Sequence, residues 1–305
     1  MHAPPAKPRR FSLRPHTRGP RRRLRRVAML PALLTLGNLL CGFAAIHFAA
    51  KPVAATGFFG WSTLTVAGSL IFFGMFFDAI DGFVARLVKS TSVFGANLDS
   101  LADVVSFGVA PAFMMLRLVS HYYGPDGATS IMGPEVDSVY ARVAWAIAAV
   151  YICCTALRLA RFNAEASAAG GEEHRTFFGL PSPGAAGAVA SLIVLHQHLL
   201  SRHTGIEDGL AFARAAALGI PFVTLIVAFA MVSNVRYSHF VNRVLRSRRT
   251  FPSLIRIVLP VVVALWWPRE TLAAGFVIYA LSGPLTAMFK RGERHRPAHA
   301  TQANP

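Results

Sequence analysis

Apolar residues are gathered into eight blocks along the chain, and short polar or basic stretches separate each block from the next. Most blocks approach about 20 residues, the length at which an α-helix crosses the hydrocarbon core of a bilayer. The pattern therefore predicts an all-α fold, a polytopic transmembrane helical bundle. The blocks lie at 30–50, 58–78, 98–119, 142–161, 183–200, 210–233, 254–267 and 271–289.

The two ends of the chain differ from its apolar middle. Residues 1–28 contain a run of Lys and Arg, and residues 291–305 are polar. Segments of this composition bury too little apolar surface to order themselves. We therefore predict a transmembrane domain over 29–290, preceded by a basic, disordered tail and followed by a polar one.

Composition and charge support a membrane protein and place its ends. Of 305 residues, 54% are hydrophobic and only 15% are charged, whereas soluble domains carry about 25% charged residues. The net charge of +17 would suit nucleic acid, but most Lys and Arg lie in the tails and in loops on one predicted side. Basic loops of this kind face the cytoplasm and meet anionic lipid. We expect an inner (cytoplasmic) membrane of bacterial type, both termini in the cytoplasm, and anionic membrane lipid rather than nucleic acid as the partner.

Four aspartates interrupt the apolar pattern where the second block ends and the third begins: Asp78, Asp81, Asp99 and Asp103. Spacings of three and four residues place each pair on one helix face. Because a short loop joins the two helices, we expect the pairs to converge. Carboxylates repel one another strongly in a low dielectric, and a hard cation such as Mg²⁺, Mn²⁺ or Ca²⁺ relieves this repulsion. The pattern indicates a site for two metal ions, an arrangement that activates phosphate esters.

The residues around the aspartates indicate the kind of ligand. Gly82 and Ala85 share a face with Asp81, so a bulky group can approach the backbone there. Arg86 offers a fork of donors to phosphate oxygens, and Gly95 allows the connecting loop to turn tightly. Together these residues predict a site for a metal-bridged diphosphate at the cytoplasmic end of the bundle.

Two other interpretations fit isolated parts of this pattern. Aspartates at a membrane edge can be solvated helix ends or partners of Arg86 and Lys89, but this does not explain two pairs at helical spacing. An ion-coupled transporter also uses intramembrane carboxylates. Transporters usually hold them near the midplane, with broken helices or internal repeats, whereas these lie at one end of a chain without a visible repeat.

The pattern Asp78-x-x-Asp81-Gly82-x-x-Ala85-Arg86, eight residues, Gly95-x-x-x-Asp99-x-x-x-Asp103 resembles the signature of the CDP-alcohol phosphatidyltransferases and matches it without a gap. The resemblance implies a catalytic domain with a six-helix core, commonly homodimeric, so that about two C-terminal spans are additional. It also implies that the four aspartates bind two divalent cations, Mg²⁺ or Mn²⁺. The ions would hold the CDP moiety together with Gly82, Ala85, Arg86 and Gly95, and Asp103 would be the catalytic base.

Five further segments are similar to the branch of this family that uses L-serine as the acceptor. They are LPALLTLGNLLCGFAAI, DSLADVVSFGVAPA, LRLARFN, FFGLPSPGAA and MVSNVRYSHF. The resemblance implies CDP-diacylglycerol and L-serine as substrates and phosphatidylserine and CMP as products, although inositol phosphate, glycerol phosphate or choline would fit the same signature. One departure is Ala32, where relatives usually have Asn, so Thr35 and Asn38 would have to make the contact with the nucleotide.

Three polar residues near the end of the fourth block are candidates for the acceptor site: Arg158, Arg161 and Asn163. A guanidinium pairs well with either the serine carboxylate or the phosphates of the donor. The alternative interpretation is that the arginines are ordinary basic residues flanking a span on its cytoplasmic side. The sequence leaves both interpretations open.

Overall fold

The computed structural model describes residues 30–53, 55, 57–88, 93–124, 131–135, 137–168, 179–202, 206–235 and 262–294. The long helices are α1 Leu30–Ala50, α2 Thr63–Val88, α3 Val93–Asp103, α4 Ala110–Tyr123, α5 Val139–Ala168, α6 Ser182–Arg202, α7 Ile206–Val232 and α8 Pro268–Arg294. A 3₁₀ turn, Phe58–Gly60, precedes α2, and a π-helical turn, Val104–Val109, joins α3 to α4. The described residues contain no strand, which confirms the all-α prediction.

Six segments within the described residues are long and apolar enough to cross a bilayer. They are Leu30–Ala50, Thr63–Ala85, Val93–Tyr123, Val139–Glu165, Ser182–Ser201 and Gly209–Val232. These segments correspond to the first six predicted blocks and confirm a polytopic helical bundle. The third span is a single rod that runs through α3, the π-helical turn and α4.

Several boundaries differ from the predicted ones. Residues 58–60 form a separate turn. Helix α2 continues beyond the apolar block to Val88, and this extension includes Asp81. Gly95 lies in the first turn of α3 and not in the connecting loop, so its predicted role as a turn residue is wrong. The eighth block forms α8, whereas most of the seventh block and both predicted tails lie outside the described residues.

Helix α6 lies at the centre of the bundle and contacts α2, α4, α7 and α8. Its first half, SPGAAGAVA, consists mostly of Gly and Ala. Small residues let helix backbones approach closely inside a membrane, where packing rather than the hydrophobic effect holds helices together. Large apolar side chains of α1 and α2 instead point outwards, as Phe43 and Phe73 do, and suit contact with lipid tails.

The π-helical turn is held by hydrogen bonds from two directions. The Ser106 hydroxyl donates to the backbone oxygen of Asn38 on α1 at 2.9 Å, and the buried Tyr151 hydroxyl of α5 donates to the Phe107 oxygen at 3.0 Å. A Cβ at Gly42 would lie only 2.7 Å from the Ser106 Cα, so α1 needs glycine at this crossing. Wide turns of this kind are frequent at functional sites, and this one directly follows Asp103.

The turn that leads into α6 joins two of the segments noted in the sequence. The Gly179 amide donates to the Val235 oxygen at 2.9 Å, and the Leu180 amide donates to the Ala230 oxygen at 3.0 Å. Gly179 has a φ of +80°, a conformation that side chains rarely adopt. A Cβ at this position would lie 2.2 Å from the Met231 oxygen. The start of α6 is therefore fixed against the end of α7.

We expect Gly179→Ala to lower the midpoint of thermal unfolding in detergent. The left-handed backbone alone costs an alanine about 1–2 kcal/mol, and the contact with the Met231 oxygen adds to this cost. The matched control is Gly219→Ala on α7, where no side chain or other helix of the described residues lies within 4 Å of a new Cβ, so the midpoint should stay or rise. Equal midpoints for the two variants would contradict the described turn.

Candidate active site

Three of the four aspartates form one cluster. Asp78 lies on α2, Asp99 and Asp103 lie on α3, and each offers a carboxylate oxygen within 4.8 Å of the others. Asp103 is buried, with 7% of its surface exposed, whereas Asp78 and Asp99 are half-buried. The predicted convergence of the two helices is confirmed for these three carboxylates.

Asp81 lies one turn beyond Asp78 on α2 and is only 5% exposed. Its Oδ2 accepts a hydrogen bond of 2.9 Å from the Thr35 hydroxyl on α1. It is not one of the three clustered carboxylates. The fourth aspartate is thus adjacent to the cluster and is held by α1.

Helix α1 supports the aspartates through one face. Thr35 and Asn38 are a single turn apart and buried, and each hydrogen-bonds an aspartate. The Asn38 Nδ2 donates to the Asp103 Oδ1 at 3.1 Å, in parallel with the bond from Thr35 to Asp81. Gly74 on α2 provides the necessary space, since a Cβ there would lie 2.9 Å from the Asn38 Oδ1. These contacts orient two carboxylates, while the predicted contact of both α1 residues with CDP stays a prediction.

The residues of the cluster fit divalent cations. Their available ligand atoms are carboxylate oxygens, which hard cations prefer. The Asp99 Oδ1 is buried and has no hydrogen-bond partner within the described part of the chain, and such an orphaned acceptor is costly. A cation bound between the carboxylates would satisfy this atom and reduce the repulsion between them. The structure thus supplies an independent reason to place metal here.

A cavity of about 300 Å³ opens beside the cluster. The three clustered aspartates form one part of its lining. Arg158, Ser182 and Tyr279, from α5, α6 and α8, are among the other polar groups of the lining. Acidic groups that suit a cation and basic or hydroxyl groups that suit an anion therefore border the same space.

The two candidate arginines occupy different places. Arg158 lines the cavity, and its Nη1 donates to the Ser182 hydroxyl at 2.7 Å. Its Nε is buried and has no hydrogen-bond partner among the described residues. Arg161 is exposed, does not line this cavity, and pairs with Glu165 at 2.8 Å and with Asn234 at 2.9 Å.

The third acceptor-site candidate, Asn163, also lines the cavity. Its Nδ2 donates to the Ser100 hydroxyl at 2.7 Å, so this residue connects the end of α5 to α3. Arg158 and Asn163 therefore border the space beside the aspartates, and Arg161 lies outside it. The structure separates candidates that the sequence had grouped together.

The remaining signature residues lie on α2 and α3. Among the described residues, apart from its chain neighbours and its own helix backbone, no heavy atom lies within 4 Å of a Cβ built at Gly82, so the predicted bare face is present in this part of the structure. Ala85 follows one turn later and is half-buried. Arg86 belongs to α2, but its side chain is outside the described residues. Gly95 is half-buried near the start of α3, where its lack of a side chain leaves space but it does not form a turn.

Ser182 and Tyr279 line the cavity near Arg158 but were not candidates in the sequence. Ser182 lies within FFGLPSPGAA, and its position before a Gly- and Ala-rich helix was the available signal. Tyr279 on α8 carried no signal, because an aromatic residue in an apolar block most often serves packing. Only the packing of α8 against α6 shows that it reaches the cavity.

Comparison with known proteins gives a consistent result. The sequence model of the CDP-alcohol phosphatidyltransferase family matches residues 28–232, which include α1 to α7. A CDP-diacylglycerol–serine O-phosphatidyltransferase of Helicobacter pylori is 30% identical over 261 residues, 86% of this chain and 92% of that protein. An enzyme of the same name from Bacillus subtilis is 30% identical over 211 residues, 69% of this chain and 90% of that protein. Another, from Methanocaldococcus jannaschii, is 28% identical over 221 residues, 72% of this chain and 79% of that protein. With the aspartate cluster inside the matched region, the chain belongs to the CDP-alcohol phosphatidyltransferase family.

Proposed function

We propose that this enzyme transfers the phosphatidyl group of CDP-diacylglycerol to L-serine and forms phosphatidylserine and CMP. The observation that carries the proposal is a single cavity with three clustered carboxylates and an arginine whose buried Nε has no partner among the described residues. The first arrangement suits a metal-bound diphosphate, and the second suits the carboxylate of an amino-acid acceptor. The names of the relatives support serine as that acceptor.

The donor site is assigned to the signature residues. Two divalent cations, Mg²⁺ or Mn²⁺, would be held by the four aspartates Asp78, Asp81, Asp99 and Asp103. Such cations would neutralise the charge of the diphosphate and favour the departure of CMP. The open face at Gly82 and Ala85 leaves room for the CDP moiety. Further contacts with CDP are assigned to the remaining predicted residues, Thr35, Asn38, Arg86 and Gly95.

The transfer is a single displacement at phosphorus. The serine hydroxyl oxygen bonds to the phosphorus nearest the lipid, and the bond from that phosphorus to the bridging oxygen breaks. CMP leaves with the bridging oxygen, and the hydroxyl proton passes to the Asp103 carboxylate. The hydrogen bond from Asn38 to the Asp103 Oδ1 restrains the carboxylate, so that the base keeps one orientation towards the acceptor.

We expect Arg158→Lys to raise the KM for serine by about 10- to 150-fold, since the loss of a charge-assisted hydrogen bond costs about 1.5–3 kcal/mol. Lysine keeps the charge but lacks the planar fork that matches a carboxylate. The measurement is the KM for serine and, separately, for CDP-diacylglycerol. Arg161→Lys is the matched control, because its guanidinium lies outside the cavity, and its serine KM should stay close to that of the wild type.

The outcomes of this comparison separate two assignments of Arg158. A rise in the serine KM alone supports contact with the acceptor. A rise for CDP-diacylglycerol alone would place Arg158 on the diphosphate of the donor. A larger effect on the serine KM from Arg161→Lys than from Arg158→Lys would contradict the described arrangement of the two side chains.

The membrane arrangement belongs to the same proposal. We place the catalytic domain at 29–290, between a basic tail at 1–28 and a polar tail at 291–305, in an inner membrane with both termini and the site in the cytoplasm. The distribution of Lys and Arg supports this orientation. Cysteines introduced at positions 90 and 247 should react from the cytoplasm, and one at position 130 from outside. Labelling of all three from one side would overturn this arrangement.

We also propose a homodimer, as the family resemblance implies. Crosslinking in vesicles would test this oligomeric state.

Purified protein and a panel of acceptors test the function itself. CDP-diacylglycerol would be offered with L-serine, inositol phosphate, glycerol phosphate or choline, followed by mass spectrometry of the lipid and assay of CMP. We expect phosphatidylserine to be the main product, with CMP released in equal amount. Preference for another alcohol would overturn the choice of serine. Absence of CMP with every alcohol would instead favour a transporter.

A further inference from the structure

Helix α8 lies beyond residues 28–232 that match the family, yet its side chains fit closely into the central helix α6. Gly184 and Gly187, one turn apart on α6, face the rings of Tyr279 and Phe276. A Cβ at Gly184 would lie 2.8 Å from the Tyr279 Cε1, and one at Gly187 would lie 2.2 Å from the Phe276 Cε1. The two glycines thus form a groove that fixes the register of α8.

A third helix takes part in this contact. The Phe276 ring lies 5.8 Å from the ring of Phe72 on α2, measured between centroids. Aromatic rings at this separation pack favourably, so α8 is seated on α6 and α2 together. The last helix is therefore held against two of the helices that surround the aspartates.

This register brings Tyr279 into the lining of the active-site cavity. Tyr279 shares this lining with Arg158, whose Nη1 donates to the Ser182 hydroxyl at 2.7 Å. Three helices, α5, α6 and α8, thus contribute polar groups to one part of the cavity, whereas the clustered aspartates come from α2 and α3. The cavity has a second polar region whose composition suits an anionic group.

We propose that Tyr279 is a specificity-determining residue, whose hydroxyl donates a hydrogen bond to the carboxylate of the acceptor beside Arg158. The inference rests on the proposed function, because it takes serine to be the acceptor. The donor is common to the family, so the choice of acceptor needs groups other than the shared signature. A carboxylate in this region would accept from the Arg158 Nε, which is buried without a partner among the described residues, and from the phenol of Tyr279.

The test is Tyr279→Phe, which keeps the ring in the glycine groove and removes only the hydroxyl. We expect the KM for serine to rise about tenfold, a change of about 1.4 kcal/mol. The KM for CDP-diacylglycerol should stay at its wild-type value. Tyr140→Phe is the control, because the Tyr140 hydroxyl does not line the cavity and donates to the backbone oxygens of Ala217 and Leu218, each at 3.3 Å. Its serine KM should stay at the wild-type value.

A double variant tests whether Tyr279 and Arg158 share one group of the substrate. The combined Arg158→Lys and Tyr279→Phe changes should raise the serine KM by less than the product of the two single effects, because interacting residues are not additive. Fully multiplicative effects would contradict a shared carboxylate. An unchanged serine KM in Tyr279→Phe, or an equal rise in the donor KM, would overturn the role of Tyr279.

The same measurements keep this inference separate from the proposed function. Phosphatidylserine formation by the wild-type protein tests the function without reference to Tyr279. If the wild type forms another lipid instead, the proposed function fails, and the assignment of a carboxylate to Tyr279 fails with it. If the wild type forms phosphatidylserine and Tyr279→Phe has the wild-type serine KM, only the inference about Tyr279 fails.

Discussion

Replacing Asp103 with asparagine should lower kcat by about 10²- to 10⁴-fold, the range that a general base contributes. Asparagine has nearly the same shape, and its carbonyl oxygen can still accept the hydrogen bond that Asn38 donates to the Asp103 Oδ1. The change removes the negative charge and the ability to take a proton. Because Asp103 is buried, water cannot readily replace it. The measurement is the rate of a single turnover at saturating CDP-diacylglycerol.

The companion measurement is the Kd for CDP-diacylglycerol, which tests whether Asp103 acts mainly as the base although it is also one of the proposed cation ligands. Asp103→Asn should weaken donor binding far less than it slows turnover. Asp78→Asn is the matched variant from the same cluster, and it should impair binding and turnover together, since a cation ligand that has no role as the base supports both. Near wild-type turnover in Asp103→Asn would show that another group takes the proton.

Removal of divalent cations should abolish activity completely, and Mg²⁺ or Mn²⁺ should restore it. The reason lies in the cluster itself, where three carboxylate oxygens fall within 4.8 Å and one buried oxygen of Asp99 has no partner among the described residues. Without a cation, the diphosphate of the donor would face these carboxylates directly, and like charges repel strongly in a low dielectric. The assay is CMP release after the protein has been stripped with EDTA and dialysed.

A second readout does not depend on turnover. A ligand that binds only the folded state stabilises it by about 2.7 kcal/mol at 100 times its Kd, so added Mg²⁺ or Mn²⁺ should raise the midpoint of thermal unfolding. Asp99→Asn should reduce this rise, because it removes a ligand charge at the cluster. Full activity of the stripped protein in excess EDTA would contradict the metal site, as would an equal thermal shift in Asp99→Asn.

Features that depend on local sequence could be predicted. The six spans follow from runs of apolar residues, and the convergence of Asp78 with Asp99 and Asp103 follows from helical spacing and a short connection. Both features are set by residues close together in the sequence. The hydrocarbon core of the bilayer, in turn, permits few structures other than helices. The part of the site made by α2 and α3 was therefore open to prediction from the sequence.

Features that depend on contacts between distant helices could not be predicted. Arg158 and Arg161 are three residues apart, and only the packing of α5 against its neighbours decides that Arg158 reaches Ser182. The support of Asp103 by Asn38 spans 65 residues. Tyr279 reaches the cavity only because glycines on another helix receive its ring. In each case the signal lies in tertiary packing, which no periodicity within one helix reveals.

The fate of the serine hydroxyl oxygen tests the central claim most directly. The enzyme would be supplied with CDP-diacylglycerol and with L-serine carrying ¹⁸O in its hydroxyl group. The masses of both products would then be measured by mass spectrometry. If the hydroxyl attacks the phosphorus nearest the lipid, the phosphatidylserine retains the ¹⁸O and the CMP carries none. Release of CMP with phosphatidic acid as the lipid product, or formation of phosphatidylserine without the label, would contradict the proposed transfer.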